Sequence, residues 1–196
     1  MAPGRSQSGE RCAMRFVFDD NKSAQAAAVL LRLANGEMYY IHLLKLLYLA
    51  DRQSLLETGY PITGAKMVSM DKGPVLSEIY QSITWGDDAQ TPWSEVVEDR
   101  ADHKVGLRGE PGLKKLSRYE LGLLERVYAK WGTWNRWDLV RYTHDLPEWH
   151  DPEGSSTPID VREILADAGR SAREIEDIAA QVESIWMLHS MAAFAK

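Results

Sequence analysis

His144, Asp145, Glu148, His150 and Asp151 crowd into the ten-residue stretch THDLPEWHDP (143–152). Imidazoles beside carboxylates are the ligand set of zinc and the acid–base pair of hydrolysis. Zinc sites on a helix need ligands one turn apart, however, and Pro147 interrupts any helix here. The spacing favours a structural turn, so no metal and no other cofactor is expected. Ser69, Ser77 and Ser82 have acids nearby, but none occupies a strand-to-helix nucleophile elbow. GLRGEPG (106–112) lacks the Lys-Ser/Thr pair of a phosphate loop and reads as a linker between halves. The chain is therefore expected not to be an enzyme. A small hydrolase or metal-dependent enzyme built on the His144–Asp151 cluster is the catalytic alternative.

Two further groups could bind without catalysing. Trp131, Trp134 and Trp137 lie three apart, with Trp149 close behind. Rings of this size fill a core or anchor an interface, and at least two are expected in the core. Arg136, Asp138 and Arg141 could supply a polar rim. His42, Lys45, Asp51 and Arg52 form a polar strip on an otherwise apolar segment, which must face water, a partner or paired charges.

The elements that would position these residues are mostly helical. Ser23 is read as the cap of AQAAAVLLRLA, which Asn35-Gly36 ends. Residues 38–58 are apolar around most of a cylinder, as in a central buried helix, with Gly59 as its stop. Lys66–Met70 suggests a short strand or hairpin arm. Pro74 suits the first turn of a helix running to Trp85, and GDDAQTPW reads as a loop. Ser94–Asp99 and His103–Leu107 could pair through residues 100–102. Capping boxes at Ser117/Glu120 and Ser171/Glu174 start two later helices, Thr133 is read as the cap of WNRWDLVRYTH, and Thr157-Pro158 precedes IDVREILADA. The expected fold is mainly α: a compact helical domain with a small β element, a short hairpin or sheet, and a long C-terminal helix. Residues 1–14 are expected to be a flexible tail and residues 15–196 a single globular domain.

Composition restricts the partners. The chain carries 23 basic and 29 acidic residues, a formal charge of −6, and neither half is basic. Because phosphate contacts supply most non-specific affinity for nucleic acids, no nucleic-acid partner is expected. One cysteine, Cys12, allows no internal disulfide and fits a reducing cytoplasm. The longest apolar stretch, YYIHLLKLLYLA, is too short and too charged to span a bilayer, so no membrane partner is expected.

KLLYLADRQSLLETGYPITG, DKGPVLSEIYQ and LVRYTHDLPEWHDP, in that order, resemble the three signature stretches of the Panacea, or SocA-like, antitoxin domain, over roughly residues 23–152. The residues that carry the resemblance are Lys45, Leu46 and Tyr48; Lys72, Gly73, Pro74, Val75 and Tyr80; and Thr143, His144, Pro147 and Trp149. It implies a largely helical antitoxin that neutralises a cognate protein toxin encoded nearby by direct protein–protein binding. In the family an alternative mode exists, delivery of the toxin to the ClpXP protease. Some members add a DNA-binding helix-turn-helix, which nothing in this sequence resembles. Chemically, most of the matched residues suit scaffold roles, with Gly73-Pro74 as a tight reversal and Trp149 anchoring a loop.

Overall fold

The computed structural model describes residues 14–85 and 90–194, so nearly all of the expected N-terminal tail and residues 86–89 of the expected loop lie outside it. Helix α1 (Asp20–Leu33) starts earlier than its alanines suggest, because Asp19 caps it by accepting from the Lys22 amide. Ser23 is inside the helix and bonds back to the Asp19 carbonyl instead. Ala24, Ala26, Ala27 and Ala28 are buried, and their small side chains let α1 approach its neighbours closely.

Strand β1 (Glu37–Tyr39) takes the first residues of the expected central helix. Helix α2 (Tyr40–Thr58) follows and ends at Gly59 in the left-handed conformation. Thirteen of its nineteen residues are buried. A helix apolar on all sides must be surrounded, and later elements do surround it.

Strands β2 (Met67–Ser69) and β3 (Val75–Leu76) form a hairpin. Helix α3 (Ser77–Thr84) begins three residues after Pro74, which therefore lies in the hairpin turn and not in the helix. Five residues expected in loop and strand form helix α4 (Pro92–Val96), started by a reciprocal capping box between Thr91 and Ser94. The second hairpin is shorter than expected: β4 (Val97–Arg100) pairs with β5 (Lys104–Leu107).

Helix α5 (Arg118–Trp131) has the Ser117/Glu120 capping box. Helix α6 (Arg136–His144) is capped by Asn135 and not by Thr133. Strand β6 (Thr157–Pro158) adds to β2, and Asp160 caps helix α7 (Val161–Asp167). Helix α8 (Ala172–Phe194) is the long C-terminal helix, with Ser171 and Glu174 bonded reciprocally at its start. The sheets have strand orders β1-β5-β4 and β3-β2-β6, all pairs antiparallel. The fold is mainly helical with small β elements, and α1, α5, α6 and α7 all pack on α2.

The segment after α2 is tied down from inside. Buried Asp51 accepts from the amides of Ile62 and Thr63, both at 3.0 Å, and from the Thr63 hydroxyl. The Thr63 carbonyl accepts from the Asp19 amide. This brings Gly64 against the backbone at Val17, where an added Cβ would lie 2.2 Å from the carbonyl oxygen, and Gly64 has φ +72°. Left-handed backbone alone costs a residue with a Cβ about 1–2 kcal/mol, and the clash adds to it. We predict that Gly64→Ala lowers the melting temperature clearly, while Gly112→Ala, with nothing within 4 Å of the new methyl, leaves it unchanged. Equal melting temperatures for the two variants would show that the contact at Val17 is dispensable.

Candidate functional site

The three motif stretches converge beneath α2. Lys45, Tyr48 and Arg52 recur at helical spacing and share one face. Lys45 is fully buried (0% exposed), and its ammonium donates to the Pro74 carbonyl at 2.7 Å. That carbonyl belongs to the turn in which the Gly73 amide bonds the Met70 carbonyl and Gly73 has φ +86°. A Cβ on Gly73 would lie 2.8 Å from Thr143 Oγ1, 2.9 Å from Lys45 Nζ and 3.0 Å from His144 Cδ2. The turn is thus wedged between the lysine and the end of α6, in space only glycine leaves.

The stretch after α6 folds over the same turn. The His144 ring stacks on Trp149 at 4.2 Å between centroids, and the Trp149 indole donates to the Met70 carbonyl. Glu148, buried, accepts from Tyr48 Oη at 2.7 Å and from Arg52 Nε at 2.6 Å, with Arg52 Nη2 on its second oxygen. The Ser69 hydroxyl accepts the His150 amide. One acid therefore links the long helix to the late motif, while the tryptophan links that motif to the hairpin.

Burial dominates the electrostatics. It pulls the Lys45 ammonium down to about 7, no carboxylate compensating among the described residues. It pushes the Asp51 carboxyl up to about 7 against the pull of its three donors. Burial and the adjacent Glu148 charge push the Tyr48 phenol up. Burial lowers Arg52, but the Glu148 hydrogen bond and charge override it and hold the guanidinium above its usual range. Burial and then the Lys45 charge lower His144, whose buried Nε2 has no hydrogen-bond partner.

An amine near neutral pKa has the chemistry of a nucleophile or base, but a fully enclosed ammonium spent on a carbonyl meets no substrate. The acids and histidines of 143–152 do not converge either. Glu148 turns inward, Asp151 bonds the Glu153 amide, and His144 stacks. No group of three or more His, Cys, Asp or Glu that could hold a metal occurs among the described residues.

Of the remaining motif residues, Leu46 and Val75 are core, Tyr80 is half-buried on α3, and Lys72 and Pro147 are exposed. Arg52 and Glu148 belong to the assembly although the motif comparison passed over both. The signal for them was Arg52 one turn after Tyr48 on a helix with no polar face to spare. The tryptophans divide otherwise than expected: Trp131 is buried and Trp149 half-buried, but Trp134 and Trp137 are 39% and 45% exposed. Trp134 precedes α6 and Trp137 lies in its first turn, so the three-residue spacing does not put them on one buried stripe.

A family model described as Antitoxin SocA-like, Panacea domain, matches residues 43–150. No curated protein and no solved structure matches the chain. The matched span holds every residue of the assembly around Lys45 and Glu148, and excludes α1, α7 and α8.

Two consequences can be measured. The unfolded ammonium of a lysine releases its proton near pH ~10.4, the folded Lys45 at about 7. Between those values the unfolded chain binds more protons, so stability relative to Lys45→Met should rise with pH, by up to about 1.4 kcal/mol per unit. Denaturant unfolding of both proteins between about pH 6 and pH 9 reads this difference, and a flat difference would refute it. Gly73→Val should lower the melting temperature strongly through backbone strain and collision with Thr143 and Lys45. An unchanged melt with partner binding abolished would place Gly73 at a partner surface instead.

Proposed function

The chain belongs to the SocA-like antitoxin family, Panacea domain, and on that premise we propose that it is the antitoxin of a toxin–antitoxin pair, neutralising a cognate protein toxin by direct binding. The observation that carries this reading is the closure of the matched region on itself. Lys45, Tyr48, Arg52 and Glu148, the polar groups with the most reactive surroundings, satisfy one another or backbone within the core. Such an assembly stabilises a shape and offers no substrate site of its own, which supports reading the chain as a binder.

Activity then resides on the exterior, where Trp134, Trp137 and Trp85 are exposed. Tryptophan is among the residues that contribute most to interfaces. The formal charge of −6 favours encounter with a basic partner and disfavours nucleic acid. None of the helices among the described residues is long and apolar enough to cross a membrane. In this reading residues 15–196 act as one domain and meet the toxin in the cytoplasm.

Co-expression with the toxin gene adjacent to its own should restore growth and yield a complex that survives purification, while the chain alone is harmless. Rescue should persist in cells lacking ClpXP. Rescue lost in those cells while the complex still forms would replace masking by delivery to the protease. Neither rescue nor complex with any neighbouring product would remove the antitoxin reading.

A further inference from the structure

A cavity of about 370 Å³ opens where β1, the start of α2, the β4–β5 turn and the start of α6 meet. Tyr39, Tyr40, Lys72, His103, Arg136 and Trp137 line it, with Asp102 also on its wall. The Arg136 guanidinium lies 3.7 Å from the Tyr39 ring centroid and 5.4 Å from that of Trp137. Cation–π contact orients a guanidinium while leaving its N–H groups free to bond in the ring plane. Among the described residues neither the Arg136 guanidinium nor the Lys72 ammonium forms a hydrogen bond or an ion pair. By contrast Lys104, beside the same Tyr39 ring, is paired with Glu37.

The walls are held from behind. Lys72 is the residue before Gly73, so the turn clamped by Lys45 and Trp149 also presents this second cation. Helix α6 has Thr143 and His144 locked at one end and Arg136 and Trp137 at the other. Asp102 and His103 both have positive φ, at 60° and 61°, and the His103 carbonyl accepts from the Tyr40 amide. Two consecutive residues with side chains in that conformation carry strain, tolerated where the surroundings fix the turn.

We infer that this cavity is the anchoring point for the toxin, and that it receives an acidic side chain flanked by an apolar residue from the toxin surface. The inference rests on the antitoxin reading above and names the contact within it. Arg136 and Lys72 outnumber the single wall carboxylate, Asp102, so the cavity calls for one carboxylate more, and the guanidinium offers a planar fork that matches one. The aromatic walls call for apolar surface around that carboxylate. The volume suits one or two side chains at the lower end of ligand-sized clefts. Overall charge draws in a basic partner, and a single acid on that partner fixes the docking register, since charge pairing discriminates among partners more than it adds affinity.

The test uses the full chain and the protein encoded by the adjacent gene. Arg136→Glu and Trp137→Ala should each weaken the complex by about 30-fold or more, the range of a central interface residue, with unchanged melting temperatures. Lys72→Glu, at an exposed position, should weaken binding in the same direction and guards against misfolding of the other two. Leu188→Asp, on the 69% exposed surface of α8, should bind as the unaltered chain does. An acid-to-arginine change on the toxin should restore binding to Arg136→Glu, identifying the carboxylate. If the unaltered chain forms the complex and all three cavity variants bind equally well, the cavity assignment is overturned while the antitoxin reading stands. If the unaltered chain forms no complex, both fall. A single-stranded RNA oligonucleotide whose binding is lost in Arg136→Glu, with toxin binding intact, would assign the cavity to nucleic acid and overturn the inference.

Discussion

Burying one ammonium group inside α2 constrains everything packed around it. Lys45 sits where its neighbours Leu43, Leu44, Leu46 and Leu47 are core, and removing a charge from water costs several kcal/mol, which a single acceptor offsets only in part, since the amine titrates at about 7. The acceptor is the Pro74 carbonyl, which can reach the lysine only if the chain reverses at Gly73. That reversal needs the positive φ and leaves no volume for a side chain, so the end of α6 closes over it. The lysine thus specifies a turn, the turn specifies the position of a helix end, and the helix end specifies the stretch 145–150.

Glu148 completes the same arrangement from the opposite direction. A buried ion pair such as Arg52–Glu148 adds little net stability over an apolar packing of equal volume, yet losing one partner leaves the other uncompensated, at a cost of about 3–5 kcal/mol. Such a pair resists alternatives more than it lowers energy. With Tyr48 on the same carboxylate oxygen, it admits one register of the late motif against α2. The buried histidine nitrogen without a partner shows that the polar satisfaction is not complete; stacking on Trp149 and a hydrogen bond to the Asp71 backbone hold that ring.

The parts legible in the sequence were those with a local cause. Ser117 with Glu120, Ser171 with Glu174, and Gly59 after an apolar run each fix their helix end from a few neighbouring residues. Where several candidate side chains stand in a row, the sequence does not choose: Asp19 caps in place of Ser23, and Asn135 in place of Thr133. Pro74 suits a first helical turn on propensity, but the tertiary bond from Lys45 and the pairing of Val75 with Val68 hold it in a hairpin. Helix α4, five residues long, is too short to show a helical period. The motif residues were legible as a set; their convergence was not, because it depends on partners such as Glu148 some 100 residues from Tyr48.

The same wiring separates what must stay fixed from what can vary. At the hairpin turn, Gly73 faces inward on the lysine and Lys72 faces the cavity, so adjacent residues divide between scaffold and surface. Along α6, Thr143 is enclosed while Trp137 is open to solvent. Side chains on the open side have few packed neighbours, so exchanging them costs little stability. Exchanging their inward neighbours would disturb the lysine, the turn and the late motif together. The exterior can therefore change its chemistry on one rigid frame, because the residues that shape the outer cavity are positioned by, but do not belong to, the buried polar assembly.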